Sequence, residues 1–179
     1  MRRLAAVIAT ASIPLFMISC SSGPGSVSKS DVETKMGGLF HDKSHEDAKS
    51  VVCDGDLKAE VDATQSCTIT SADSQTWKTT AKVTKVDGDT ANYDIEILDK
   101  FVSPDDIATN VAKLYSDQVG TAPKSSTCNG LLRGATGANV RCVVTEADGT
   151  RWGVTVTTTN VEGDTVNYNM VRDDQPMAS

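Results

Sequence analysis

The amino-acid sequence predicts an α+β fold: two tandem small domains, each an N-terminal helix packed on a short antiparallel sheet and stapled by one disulfide. Three observations predict it: a gapless internal repeat, a hydrophobic period that changes from helical to two within each copy, and an equally spaced cysteine pair in both copies. Sliding the chain against itself to one fixed offset aligns Cys53 with Cys128, Cys67 with Cys142, Trp77 with Trp152, Gly88-Asp89 with Gly163-Asp164 and Tyr93 with Tyr168. From Cys53 to Ile95, 17 of 43 positions are identical, too many for chance in a single register. The register reaches back to Asp31 and Asp106, so the chain reads as a tandem duplication.

Each copy opens with an amphipathic helix. Val32, Met36, Leu39 and Phe40 recur at helical spacing, as do Ile107, Val111, Leu114 and Tyr115. Ser30 with Glu33 resembles a capping box, and Ser103-Pro104 reads as an N-cap followed by proline at the first helical position. Gly37-Gly38 weakens the first helix by roughly 1 kcal/mol per glycine relative to alanine.

After the helix the period drops to two. Cys67 and Ile69, and Cys142 and Val144, open an earlier strand. Trp77, Thr79, Ala81 and Val83 then face one way in the first copy, as Trp152, Val154, Val156 and Thr158 do in the second. Gly88-Asp89 and Gly163-Asp164 mark tight hairpins, because glycine tolerates the positive φ such turns require. A last strand carries Tyr93, Ile95 and Ile97, or Tyr168 and Met170. The first repeat domain is expected over 31–98 and the second over 106–173, with Phe101 at their junction.

Each copy spans about 68 residues, a size at which one core seldom suffices without a staple. Cys53 with Cys67, and Cys128 with Cys142, supply it. Closing such a loop is worth roughly 3 kcal/mol on the chain-entropy account. A zinc reading of these four is weak, since no C-x-x-C spacing occurs.

The fifth cysteine belongs to the leader. Met1-Arg2-Arg3 followed by the mostly apolar run Leu4 to Ile18 reads as a secretory signal peptide over 1–19, too short for a spanning helix of about 20 residues. Met17-Ile18-Ser19-Cys20 resembles a bacterial lipobox, in which the Cys20 sulfur takes up a diacylglycerol group and palmitate-type acylation of the freed amine can follow. Residues 20–30, rich in serine and glycine, are the expected lipidated tether. An exported, lipid-anchored position on the outer face of the cytoplasmic membrane follows, where disulfides persist.

Helix, cysteine, a second cysteine at the same spacing in both copies, and a hairpin reading Val86-Asp87-Gly88-Asp89 with Tyr93, or Val161-Glu162-Gly163-Asp164 with Tyr168, resemble the domain-of-unknown-function family 4333. The resemblance covers both copies. It implies an α+β envelope module of actinobacterial lipoproteins, with no assigned activity and no catalytic residue to transfer.

Charge narrows the function further. The chain carries 17 Lys+Arg against 24 Asp+Glu, net −7, which leaves no basic footprint for nucleic acid. Residues 31–98 hold 7 lysines against 14 acids, net −7, whereas residues 106–173 hold 6 basic residues against 7 acids, net −1. His41 and His45 are weak metal candidates: they stand at i, i+4 beside Asp42 and Glu46, but no third ligand sits at fixed spacing. Ser44 has no recognisable base and orienting carboxylate. The expectation is therefore a non-enzymatic, lipid-anchored cell-envelope interaction module without a cofactor, its partners the membrane through Cys20 and an envelope protein or cell-wall component. The alternative is a carrier for a lipid or cell-wall precursor in an interdomain groove.

Overall fold

The computed structural model describes residues 4–7 and 25–178. Cys20 and the leader residues other than Leu4–Val7 lie outside the described residues. The described residues separate into two compact units, one over 25–99 and one over 100–178 that also includes Leu4–Val7.

In chain order the elements are β1 (Leu4–Val7), β2 (Ser26–Val27), α1 (Lys29–Ser44), β3 (Ser50–Cys53), β4 (Leu57–Lys58), β5 (Thr64–Thr70), β6 (Thr76–Asp87) and β7 (Thr90–Ile97). They continue as β8 (Phe101–Val102), α2 (Pro104–Val119), β9 (Ser125–Cys128), β10 (Leu132–Arg133), β11 (Asn139–Thr145), β12 (Arg151–Glu162) and β13 (Thr165–Arg172). Every element from β2 to β7 recurs in the second copy with bounds displaced by the same offset that aligns the cysteines. The repeat therefore begins at Ser26, ahead of Asp31.

Each unit contains an antiparallel sheet with its helix packed against it. The first has strand order β3-β5-β6-β7, the second β1-β13-β12-β11-β9. Small ribbons, β2 with β4 and β8 with β10, complete them. Both long hairpins carry a register shift at the same place, Val83/Lys85 and Thr158/Asn160, and turn on Gly88 (φ 60°) and Gly163 (φ 59°). The cysteine pairs are disulfides between directly opposed residues, Cys53 with Cys67 across β3 and β5, and Cys128 with Cys142 across β9 and β11.

Several details differ from expectation. The N-cap of α1 is Ser28: its hydroxyl accepts from the Asp31 amide (3.2 Å) and donates to the Asp31 carboxylate (2.7 Å). The ribbon β2–β4 holds Ser28 extended just before the helix, so Ser30 falls inside it. Glu33 instead accepts the Cys53 amide at 2.9 Å. Ser26–Ser30, expected in the tether, thus belong to β2, the cap and α1. Strands β5 and β11 start ahead of the second cysteine, at Thr64 and Asn139, because Gln65 and Val140 continue the inward alternation. Phe101 is buried in β8, opposite Arg133.

Val32, Met36 and Phe40 are wholly buried, and this tertiary burial holds α1 together across Gly37-Gly38. Cys67, Ile69, Trp77, Ala81 and Val83 are buried residues of β5 and β6 in the first unit. In the second, Ile107, Val111 and Tyr115 join Val140, Cys142, Val144, Val154, Val156 and Tyr168 in one cluster. No helix among the described residues is long and apolar enough to cross a membrane, and the two disulfides are consistent with an exported protein.

Candidate functional site

The same corner of the two units, where the helix ends over the hairpin that joins the second and third sheet strands, is built from opposite chemistry. In the first unit it is closed. Trp77 is fully buried and donates its indole N–H to Ser71 Oγ at 3.2 Å. Phe40 is fully buried as well, and Ser44, also fully buried, donates to the Phe40 carbonyl at 2.7 Å. The Ser71 hydroxyl lies 2.5 Å from Asp73. Burial works to raise the Asp73 carboxyl, but the hydrogen bonds from Ser71 and Gln75 outweigh it and hold the group below its ordinary value.

In the second unit Tyr115 replaces Phe40, Glu146 replaces Ser71, Arg172 replaces Ile97 and Val119 replaces Ser44. The Tyr115 hydroxyl donates to Glu146 Oε1. Burial and then the Glu146 acceptor push the Tyr115 phenol up, opposed by Arg172. The Arg172 guanidinium lies over the Trp152 ring, 4.2 Å from its centre, a cation–π geometry. Trp152 is only half-buried, and its indole N–H, shielded from solvent, has no hydrogen-bond partner among the described residues. Beside this group a pocket of about 280 Å³ opens, lined by Tyr115, Val119, Thr121–Pro123 and Glu146–Asp148. At its rim Asp148 accepts the Thr150 amide at 2.8 Å, which holds its carboxyl below the ordinary value.

The other candidates are not assembled into a site. His41 lies 2.9 Å from Asp47, while His45 is the left-handed residue that ends α1 (φ 59°). Among the described residues no group of three or more His, Cys, Asp or Glu side chains is placed to hold a metal ion.

A family model described as Domain of unknown function (DUF4333) matches residues 14–88 and again 95–163. The chain belongs to this family. No curated protein and no solved structure matches it. Both DUF4333 matches end on the hairpin glycine, Gly88 or Gly163, and the last strand of the second repeat, β13, lies wholly beyond the matched spans. Arg172 is in that unmatched strand. The pocket residues were overlooked in the sequence because Tyr115 and Trp152 align with core aromatics; the signal was the joint replacement of Ser71 and Ile97 by Glu146 and Arg172.

Proposed function

We propose that this DUF4333 protein is a non-enzymatic interaction module of the cell envelope, exported by residues 1–19 and anchored through acylated Cys20 to the outer face of the cytoplasmic membrane. The observation that carries the reading is the open corner of the second repeat, whose first-repeat counterparts Phe40, Ser44 and Ser71 are wholly buried. One copy keeps its core closed, and the other presents an apolar floor from Tyr115 and Val119 with Glu146 and Asp148 at the edge. That surface suits an aliphatic stem ending in a positive charge, supplied by an envelope protein or a cell-wall peptide.

The size of the pocket fits a side chain as its occupant. Small-molecule sites usually span about 300–1,000 Å³ and enclose most of their ligand. A space of about 280 Å³ has room for one side chain. The test is photocrosslinking in intact cells from Ala122, on the pocket wall, against Asp47, its counterpart in the first repeat. Reproducible adducts from Ala122 alone are expected; equal capture from both positions, or none from either, overturns the proposal. Mass spectrometry of the purified chain, finding Cys20 diacylated and residues 1–19 absent, tests the anchor separately.

A further inference from the structure

We infer that the free edge of β13 is an acceptor for an extended, uncharged, aliphatic-rich strand of another envelope polypeptide. It rests on the reading above that residues 1–19 are removed. In the full chain Leu4–Val7 forms β1 and occupies this edge antiparallel, with Leu4 opposite Tyr168, Ala5 opposite Asn167, Ala6 opposite Val166 and Val7 opposite Thr165. The occupant is Leu-Ala-Ala-Val, with no charge. Cleavage of the leader takes this strand away and leaves a row of unpaired amides and carbonyls, the template that strand addition uses.

The first repeat carries the same edge with a guard. Along the outward face of β7 stand Asp94 and Glu96, both exposed, and charges there oppose edge-to-edge pairing. In β13 their counterparts are Asn169 and Val171, and Val171 is 61% exposed. Upstream, Thr90-Ala91-Asn92-Tyr93 and Thr165-Val166-Asn167-Tyr168 are nearly the same. On their outward faces the two edges therefore differ in the two carboxylates, and it is the edge without them that holds a second strand. Charge across the repeats runs the same way: net −7 in 31–98 against −1 in 106–173. An uncharged aliphatic strand meets no unpaired carboxylate on β13 and two on β7.

The experiment compares amide exchange in the full chain with the same chain begun at position 20 and carrying Cys20→Ser. All four bridging cysteines and, among the described residues, every buried core residue lie within 26–172, so removing the leader takes none of them away. The probe is an acetylated, amidated peptide Thr-Val-Thr-Leu-Ala-Ala-Val, whose last four residues copy Leu4–Val7 and whose first three run past Asn169–Val171. Outward amides of β13 are expected to exchange at least about tenfold faster without the leader and to regain protection with the peptide. Asn169→Asp with Val171→Glu is expected to abolish that recovery, and Asp94→Asn with Glu96→Val to create it on β7. Because all four positions are at the surface, unchanged circular dichroism verifies folding. Peptide protection that is absent, or equal on β7 and β13 of the unaltered chain, overturns the inference, as does dimerisation of the leaderless chain through β13. A leader that stays on the protein in cells defeats the anchoring proposal while leaving the edge measurement intact.

Discussion

Phe40 and Tyr115 occupy the same turn of the same helix in the two repeats and differ by one hydroxyl. In the first repeat that turn is sealed: Trp77 is fully buried, its N–H is satisfied by Ser71, and Ser44 covers the helix end. In the second the hydroxyl finds Glu146, Arg172 moves over a half-buried Trp152, and a pocket opens. The comparison separates what the fold needs from what it tolerates. Identical element bounds survive both arrangements, so the disulfide-stapled sheet and the helix cap specify the fold, and the corner is free to diverge.

The largest break in this symmetry is expected at the tryptophans. Trp77→Ala removes a fully buried indole and leaves a cavity, with an expected cost of about 4 kcal/mol to the first repeat. Trp152→Ala removes a partly exposed ring whose N–H is already unpartnered, and about half that cost is expected. Urea unfolding of the two variants by circular dichroism measures the difference. Equal losses would mean that the second corner is as closely packed as the first.

A second asymmetry lies at the small ribbons. The Gly134 amide donates to the Lys100 carbonyl at 2.7 Å, and a Cβ on Gly134 would stand 2.9 Å from the Lys100 Cβ and 3.0 Å from its carbonyl oxygen. In the first repeat the same contact joins Ala59 to Gly25 at 2.7 Å, so the side chain sits on the other strand. Only one partner of the pair carries a Cβ in either copy. Gly134→Ala is expected to destabilise the second repeat by about 2 kcal/mol through this clash with backbone. Adding Lys100→Gly, which recreates the first repeat's pairing, is expected to recover much of it; a double variant no better than the single one would show that the contact is not the cause.

Most of the architecture was legible because the duplication supplies two readings of each element. Where a single copy misled, as Ser30 did for the N-cap, the partner copy held the answer: Ser103 projects back onto Ser28. The disulfides followed from the duplication, which gives each copy one equally spaced pair once Cys20 is assigned to the leader. The candidate site was not legible, since a binding corner and a core corner both need aromatic residues at positions 40/115 and 77/152. What distinguishes them is the pairing of Glu146 with Tyr115 and of Arg172 with Trp152, contacts between residues distant in the chain that no period reports. The strand on β13 was equally hidden, because a signal-type sequence reads as an address whatever edge it occupies.

The matched tyrosines extend the comparison to alkaline pH. Tyr93 has a buried hydroxyl with no hydrogen-bond partner among the described residues, and burial, then the charge of Asp31, pushes its phenol up to about 12. Tyr168 is also raised by burial, but its hydroxyl accepts from Asn110 at 2.8 Å, which pulls the other way. A raised phenol means that the neutral form is the one the fold prefers. The contribution is complete below the ordinary tyrosine value of about 10 and is lost as pH climbs through the folded value. Tyr93→Phe should therefore flatten the alkaline stability loss of the first repeat between about pH 10 and 12 at little cost near neutrality. Tyr168→Phe forfeits the Asn110 bond and should cost about 1 kcal/mol at pH 7. Denaturation midpoints across pH for both variants test the pair, and a costly Tyr93→Phe at neutral pH would reveal a partner for its hydroxyl.

The smallest effect sharpens the comparison on the outer face of the sheet. Arg141 donates to both carboxylate oxygens of Asp173, at 2.9 and 2.6 Å, across buried Gly153; the first repeat has Lys78 at that place and no such bridge, with Ser66 and Leu98 as the counterparts. A Cβ on Gly153 would meet the guanidinium and the carboxylate. Both are free ends of flexible chains, so Gly153→Ala should displace the bridge without breaking the strand. The pair is exposed and screened by solvent, so its contribution to stability is small. Replacing strand glycine by alanine returns roughly 0.5–1 kcal/mol through the unfolded chain. Near-neutral stability is the expected balance. The bridge itself reports through Asp173, whose carboxyl Arg141 holds below its ordinary value of 3.8. In Gly153→Ala that value should rise toward 3.8, and the stability the pair adds above it, lost in the parent as pH falls through the depressed value, should disappear. A carboxyl titration of Asp173 by nuclear magnetic resonance that did not move would show that Arg141 keeps its grip by another path around the new methyl group.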